Sequence, residues 1–267
     1  RRPIRRRAAN RRRPRWRRQK AAESQPLRPF AAKSKGGQVS TLFSRCSKFA
    51  ILFSREAVVA KIFTFAQQKG GAGKSTAAAQ VAVALAQGGH RVGVIDSDPQ
   101  GSLAAWWTLR VTADKAIPLS FEQTAGWRLA ARVEALAAQT DVVVIDTPPH
   151  IETDAKLAVR LADWVIMPLQ PSPLDLWACQ PTLDLAAGEG RATALLLNRV
   201  PARAKLVEET AAAAAQLPAQ LLRTRLGNRT AFAAAMARGL GVGEAAPRTL
   251  AAEEVAALAI ELDHLPV

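Results

Sequence analysis

Several features that define other classes of protein are scarce in this chain of 267 residues. It contains no tyrosine and only two cysteines, Cys46 and Cys179. Two isolated cysteines form neither a disulfide framework nor a paired thiol motif, which favours a reducing cytoplasm. The chain has no run of about 18 apolar residues, the length that spans a membrane. Its basic start lacks the apolar segment of a signal peptide. We therefore expect a soluble, cytoplasmic protein that is not exported.

Acidic residues are nearly absent from the first part of the chain. Residues 1–57 hold 18 Lys and Arg against two Asp and Glu, whereas the remainder has a net charge of −1. This segment is rich in Arg, Ser and Pro, and its one short apolar stretch, 49–53, buries too little surface to offset chain entropy. We predict that 1–58 is a disordered basic tail and that 59–267 forms the folded domain.

The start of the chain has two interpretations. Position 1 is Arg, and Val59 directly precedes the first predicted strand, so we favour a start of translation at Val59 and a tail that is not part of the fold. The alternative is a genuine basic arm that binds DNA. In either case the charge of +15 for the whole chain comes from the tail and not from the folded domain.

From Lys61 onward, short apolar runs alternate with alanine-rich stretches. Five runs are apolar at nearly every position: 62–66, 92–95, 142–145, 164–167 and 192–197. Continuous Val, Ile and Leu runs are typical of strands that are buried on both faces of a parallel sheet. The alternation predicts an α/β fold, a doubly wound and mostly parallel sheet flanked by helices.

Two of the predicted helices have clear end signals. The first runs from Lys74 to Gln87 and stops at Gly88-Gly89, a typical left-handed cap. Another begins at the segment 172–175, Ser-Pro-Leu-Asp, which is a capping box with Pro at the first helical position. Helices with such ends fit the short connections of the predicted fold.

A glycine-rich segment, KGGAGKST, follows the first predicted strand and opens the first helix. Its glycines let successive backbone N–H groups surround phosphate oxygens, and the helix N-terminus adds partial positive charge. Lys74 is predicted to bind the β- and γ-phosphates of ATP, and the Ser75 hydroxyl to bind Mg²⁺. The predicted nucleotide-binding residues are Gly70, Gly71, Ala72, Gly73, Lys74, Ser75 and Thr76.

This segment differs from the common phosphate-binding loop. Gln68 stands where a glycine is usual, and an additional lysine, Lys69, follows it. Lys69 through Ser75 match the pattern KGGxGK[ST], and from about Lys61 onward the chain resembles the ParA/MinD family of P-loop ATPases with a deviant Walker A motif, closest to the small ParA-type partition ATPases. The resemblance implies that Lys69 contacts phosphates bound by a partner subunit, so that two chains enclose two ATP molecules.

Two further predicted strands end in carboxylates. One is followed by Asp96, Ser97 and Asp98, and the next by Asp146. The carboxyl ends of parallel strands meet at the crevice where ligands bind, although an Asp-Pro pair can also simply end a strand. The resemblance implies that Asp98 orients the attacking water, that Asp96 supports the magnesium shell, and that Asp146 holds Mg²⁺ directly or through water.

Three weaker signals complete the predicted site. Asn198 follows the last apolar run, where related ATPases use an Asn to contact the adenine edge, and a capping Asn is almost as good an explanation. Arg223, Arg225 and Arg229 are candidates for nonspecific contacts with DNA phosphates, against the alternative of a solvated surface. Arg223 and Arg225 share a face if they lie in a strand. The tryptophans are expected to pack in the core or in an interface: Trp106, Trp107 and Trp177.

Together these features predict a partition or positioning ATPase that uses ATP and Mg²⁺. We expect a homodimer with ATP, nonspecific binding to DNA of the nucleoid, and a ParB-like or other adaptor protein as partner. The cargo would be a plasmid, a chromosome region or a protein cluster. Slow hydrolysis, stimulated by the partner, would drive its positioning.

Two alternatives use the same ATP site. The first is a MinD-like division-site or other positioning switch; it needs a basic amphipathic C-terminal helix at the membrane, whereas residues 253–267 contain no Lys or Arg, so no membrane is expected. The second is a nucleotide-gated scaffold with negligible hydrolysis. Metallocluster ATPases of the same family need several cysteines to bind the cluster, and the predicted ATPase domain has only one. Bacterial tyrosine kinases of the same fold phosphorylate their own tyrosines, and the chain has none.

Overall fold

The apolar runs of the sequence form the inner strands of a seven-stranded parallel sheet. The computed structural model describes residues 59–149, 153–202 and 205–267, so the tail predicted for 1–58 lies outside the described residues. The strands are β1 Lys61–Phe65, β2 Val92–Asp96, β3 Ser120–Gln123, β4 Val142–Asp146, β5 Trp164–Leu169, β6 Ala192–Leu197 and β7 Gln220–Leu221. Their order is β3-β2-β4-β1-β5-β6-β7, with parallel pairing throughout. The predicted fold class is confirmed.

Helices in the described residues connect and cover these strands. They are α1 Lys74–Gln87, α2 Ser102–Arg110, α3 Leu129–Ala137, α4 Thr153–Leu161, α5 Pro173–Trp177, α6 Gln180–Gly188, α7 Lys205–Ala214, α8 Thr230–Met236, α9 Val242–Ala245 and α10 Leu250–Asp263, with a 3-10 turn at Gly126–Arg128. None of the helices described here combines the length and the apolar character that crossing a membrane requires.

Two hydrophobic clusters line opposite faces of the sheet. In β5, Ile166 belongs to one cluster, whereas its neighbours Val165 and Met167 belong to the other. Successive side chains of a strand point to opposite faces, so a sheet covered on both faces needs apolar residues at nearly every position. This explains the uninterrupted apolar runs, and all five residues of both β2 and β4 are buried.

The two outer strands were not predicted from the sequence. β3 has two exposed and two half-buried residues, and β7 consists of only two residues, one of them exposed. Each pairs on one side only, at opposite edges of the sheet. An edge strand has less surface to bury, so it lacks the apolar run that identified the five inner strands.

The predicted helix ends are confirmed. Helix α1 spans Lys74–Gln87, and after it Gly89 adopts a φ of 96°, in the left-handed region. At α5, the Ser172 side chain accepts a hydrogen bond from the Asp175 backbone N–H, and Pro173 is the first helical residue. Both helices begin at the carboxyl-end edge of the sheet, where the glycine-rich loop lies.

Candidate nucleotide-binding site

The glycine-rich loop connects β1 to α1 at the carboxyl end of the central strand. Gly71 and Gly73 have φ values of 78° and 90°, which glycine adopts at little cost. A Cβ at Gly73 would lie 2.5 Å from Asn198 Nδ2, so the loop packs closely against the end of β6. A Cβ at Gly70 or Gly71 would meet no atom within 4 Å, which leaves room for a phosphate group above the loop.

Lys74 is the buried lysine of this loop. Burial lowers the pKa of its ammonium group, and the negative charges of Asp146 and Asp98 partly offset that effect. Lys74, Ser75 and Asp98 line the same cavity of about 470 Å³. The structure thus brings together the three residues for which the sequence predicts phosphate binding, Mg²⁺ binding and orientation of the attacking water.

Asp146 is fully buried at the end of β4, beside the last residue of β1. Burial raises its pKa to about 7, although the Ser75 hydroxyl and the Lys74 charge act in the opposite direction. Within the described residues, neither carboxylate oxygen meets a donor at full hydrogen-bonding geometry. A buried carboxylate without such a donor, next to a serine hydroxyl, fits the hard oxygen ligands that Mg²⁺ requires. Ser75 and Asp146 are therefore suited to hold the ion.

Asp96 has a different environment. One of its oxygens accepts the N–H of Asp98 at 3.0 Å, and the other accepts the N–H of Ala104 at 2.8 Å. Burial raises its pKa, and these two backbone hydrogen bonds counteract the rise. Asp96 thereby holds the loop that carries Asp98 against the start of α2. Its predicted part in the magnesium shell stays a prediction.

Asp98 lies on that loop with only 8% of its surface exposed. Its Oδ1 accepts the backbone N–H of Gln100 at 2.9 Å, and Gly101 closes the turn with a φ of 65°. Because Asp98 lines the phosphate cavity together with the loop, its position suits a group that orients water, and that role stays a prediction.

Lys69 is directed differently from Lys74. Its Nζ lies 2.5 Å from Asp175 Oδ2 at the start of α5, and it is not among the described residues that line the phosphate cavity. Asp175 is almost fully buried and also accepts hydrogen bonds from the Ser172 hydroxyl and the Gln170 N–H. In the sequence, Asp175 is recognisable only as part of a helix cap, so its ion pair with Lys69 was not predicted.

Asn198 links the glycine-rich loop to β6. Its Nδ2 donates to the Ala72 carbonyl at 2.8 Å, and its Oδ1 accepts the N–H of Arg199 at 2.9 Å. Each of these atoms can make one further hydrogen bond, so the geometry allows the predicted contact with an adenine edge without showing it. Asn198 also lines a second cavity, of about 360 Å³, whose lining does not include Lys74.

Arg199 is a site residue that the sequence analysis missed. It lines both cavities, as do Gly73, Thr76 and Ala233. Its φ is 52°, the one positive value of a non-glycine residue in the described part of the chain. This conformation costs a residue with a side chain about 1–2 kcal/mol. No sequence signal reveals it, since left-handed backbone is not expected of arginine.

The three arginines predicted to contact DNA do not form one row. β7 ends at Leu221, so Arg223 and Arg225 lie beyond it, and the shared strand face is not formed. Arg225 pairs with Glu208 and Arg229 with Glu254, each at 2.5 Å, whereas the Arg223 side chain is exposed. DNA contact by these residues remains a prediction.

The aromatic and thiol residues mainly pack. Trp106 is buried and its Nε1 donates to the Leu240 carbonyl, while Trp107 stacks on Phe121 with ring centroids 4.9 Å apart. Trp177, by contrast, is 71% exposed. Burial raises the pKa of Cys179 to about 11, so this thiol is an unreactive, buried side chain.

The parallel sheet, the glycine-rich loop with two lysines and the carboxylates at the strand ends define a P-loop ATPase of the deviant Walker A type. Residues 61–216 match the family model for the ATPase MipZ. The chain belongs to this ATPase family, within the broader group of ParA and MinD proteins that the sequence indicated.

Individual relatives agree with this assignment. The chain is 29% identical over 206 residues to "Maintenance of carboxysome distribution protein A" of Halothiobacillus neapolitanus, covering 73% of this chain and 94% of that protein. It is 39% identical over 137 residues to the protein of the same name from Gloeobacter kilaueensis, covering 51% of this chain and 61% of the relative.

Solved structures show the same fold. The cell division ATPase MinD of Pyrococcus furiosus superposes with a TM-score of 0.63 at 20% identity, over 77% of this chain and 99% of that one. A putative plasmid partition protein of Borrelia burgdorferi bound to AMPPNP gives a TM-score of 0.58 at 16% identity, over 76% and 97% of the two chains.

Proposed function

We propose that this chain is a positioning ATPase that forms a homodimer around ATP and Mg²⁺, binds nucleoid DNA without sequence preference and distributes a plasmid, a chromosome region or a protein cluster. A ParB-like or other adaptor protein would stimulate its slow hydrolysis. The observation that carries this proposal is the separation of the two lysines: Lys74 lines the phosphate cavity, whereas Lys69 is held outside it.

Within one subunit, different residues would bind the phosphates, the Mg²⁺ ion and the attacking water. The backbone N–H groups of the glycine-rich loop and the Lys74 ammonium neutralise the phosphates, and the N-terminus of α1 adds its dipole. Ser75 and Asp146 would hold Mg²⁺, which would supply positive charge to neutralise the phosphates. Asp98 accepts a proton or hydrogen bond from the attacking water and orients it toward the γ-phosphate.

Lys69 gives a reason for dimerisation. The loop already has its own phosphate-binding lysine, and the ammonium of Lys69 lies on the side of the loop toward α5, paired with Asp175. A second cation beside the transferred phosphoryl group stabilises the charge that develops there. When two subunits face each other across the nucleotides, each Lys69 supplies this charge to the other subunit, so neither site is complete alone.

The names of the relatives support a role in positioning. They include two proteins that maintain carboxysome distribution and chromosome and plasmid partition proteins. These names describe different cargoes for similar proteins. The cargo of this chain would therefore be set by its adaptor and by surfaces outside the ATP site.

The proposal is tested by Lys69→Ala in the full chain, with the exposed Lys115→Ala as matched control. Light scattering should show that ATP doubles the mass of the wild type and of the control. Lys69→Ala should still bind ATP through Lys74 but remain monomeric and lose turnover. A Lys69→Ala protein that keeps both full dimerisation and full turnover would show that the lysine does not act across subunits.

A further inference from the structure

Arg199 stands at the junction of the two cavities. One cavity contains Lys74 and Asp98, where phosphates are expected, and the other lies beyond Asn198. A Cβ built on Gly73 would lie 3.9 Å from the Arg199 Nε, so the guanidinium group is next to the glycine-rich loop. This is where a nucleotide that fills both cavities would place its α-phosphate and ribose.

The backbone of Arg199 is fixed in an unfavourable conformation. Its left-handed φ of 52° is maintained by the hydrogen bond from its own N–H to Asn198 Oδ1. Asn198 is in turn anchored by its Nδ2 to the Ala72 carbonyl in the loop. Strained residues of this kind persist where the surrounding structure fixes them, and they are frequent at ligand-binding sites.

The positive charge of Arg199 is not paired with a carboxylate in the described part of the chain. Arg110, Arg225 and Arg229 each pair with a carboxylate. For Arg199 the structure shows no such pair within the described residues, and its side chain is exposed at the rim of both cavities. A planar guanidinium with free donors is suited to bind phosphate oxygens in a bidentate manner.

We infer that Arg199 is a further nucleotide-binding residue, whose guanidinium group closes over the α-phosphate at the junction of the two cavities. This inference rests on the proposed ATP site. It adds to that site a cation from the loop that follows β6, besides Lys74 at the start of α1. Because the α-phosphate is common to ATP and ADP, Arg199 contributes equally to the binding of both, unlike a residue that contacts the γ-phosphate.

The left-handed backbone of Arg199 suggests glycine as the replacement that tests its side chain. Arg199→Gly removes the guanidinium group and relieves the left-handed φ, since glycine adopts this conformation freely. Its extra flexibility in the unfolded chain offsets the relief, so the melting temperature should stay close to that of the wild type. Arg199→Lys keeps the charge without the planar fork, and the exposed Arg248→Ala serves as a control for loss of a surface arginine.

Calorimetric titration of the full chain with Mg-ADP and with Mg-AMPPNP tests the inference. We expect Arg199→Gly to weaken both nucleotides by the same factor, about tenfold for a lost charge-assisted contact, with Arg199→Lys intermediate and Arg248→Ala unchanged. Unchanged affinity in Arg199→Gly would overturn the inference and leave the proposed function intact. A loss confined to Mg-AMPPNP would also overturn it, because the contact would then be to the γ-phosphate. A wild type that binds neither nucleotide would overturn the proposed function itself.

Discussion

The Nζ of Lys69 lies 2.5 Å from Oδ2 of Asp175, which joins the glycine-rich loop to the start of α5. Burial tends to raise the pKa of Asp175, but Lys69, the Ser172 hydroxyl and the Gln170 N–H together bring it below its ordinary value. A carboxylate with a lowered pKa stays ionised at neutral pH, and its pairing is lost only as the pH falls through that low pKa. In the proposed dimer, Lys69 would therefore leave an intact ion pair before it reaches the second subunit.

Asp175→Asn should tighten the ATP-dependent dimer, because it removes the charge that competes for Lys69. Since Lys69 is about one-third exposed, the pair is worth only a fraction of a kcal/mol to about 1 kcal/mol, so we expect a change of about threefold in the dimer dissociation constant. Sedimentation with AMPPNP measures it. Glu189→Gln, which breaks the partly exposed Arg160–Glu189 pair, is the control. A weaker dimer in Asp175→Asn would mean that Asp175 positions Lys69 for the partner.

Asp98→Ala should bind ATP with nearly the wild-type affinity and lose hydrolysis by at least about a hundredfold, which is the range of a positioned general base. The dimer should then persist. Asp98→Asn keeps the hydrogen bond from the Gln100 N–H and tests the carboxylate without disturbing the loop. Phosphate release and ATP titration distinguish the roles: lost affinity with an unchanged rate per bound ATP would assign Asp98 to the metal or to the loop structure.

The buried Asp146 should give the protein a characteristic pH dependence. Its pKa of about 7 in the folded chain lies above its ordinary value of 3.8, so the folded state binds the extra proton between these limits. The free energy of unfolding of the nucleotide-free protein should consequently fall as the pH rises from about 4 to about 7. If Asp146 holds Mg²⁺ as proposed, the ion needs its ionised carboxylate, so the affinity for Mg-ADP should decrease as the pH falls below about 7, by up to about tenfold per unit.

Asp146→Asn isolates this effect, because all other titrating groups are common to both proteins. Thermal unfolding without nucleotide and calorimetric titration with Mg-ADP should both lose the part of their pH dependence that lies between about pH 4 and 7. Identical pH profiles in the two proteins would show that Asp146 is ionised throughout this range and that burial has less effect on its pKa than the structure indicates.

The five inner strands were predictable because each is buried on both faces. A strand such as β4, with all five residues buried, must be apolar throughout, and that pattern is visible in the sequence. The glycine-rich loop was equally visible, since its backbone conformation requires glycine at fixed positions. The edge strand β3 could not be found in this way, because its side chains are partly exposed and polar.

Contacts between distant parts of the chain were not predictable. Asp175 is 106 residues from Lys69 and Asn198 is 126 residues from Ala72, and each pair meets only because the parallel strands end at one edge of the sheet. The left-handed φ of Arg199 depends on that same packing. Such features arise from the tertiary structure, so the sequence predicts the motifs of the site better than the residues that hold them in place.

The proposed DNA binding by the folded domain would depend on a local patch, since residues from 58 onward carry a net charge of only −1. The ion pairs of Arg225 with Glu208 and of Arg229 with Glu254 compete with phosphate for two of the three predicted residues. Arg223 is exposed, its backbone N–H donates to Glu261, and its charge helps to lower the pKa of that carboxyl group. Within the described residues its guanidinium group forms no ion pair like those of Arg225 and Arg229. Arg223 is thus the arginine of the three that is most available to DNA.

A chain that begins at Val59 should fold, hydrolyse ATP and bind duplex DNA in an ATP-dependent manner without sequence preference, because the described site contains nothing from before Val59.

Each phosphate neutralised contributes about −0.9 to the slope of log affinity against log salt, so Arg223→Ala should reduce the slope of the dimer by roughly two units if both copies touch DNA. Arg225→Ala should have a smaller effect, because Glu208 already occupies that side chain. Fluorescence anisotropy over a salt series measures both. If the shortened chain shows no salt-sensitive binding while the full chain does, the basic segment 1–58 is the DNA-binding element and translation does not start at Val59.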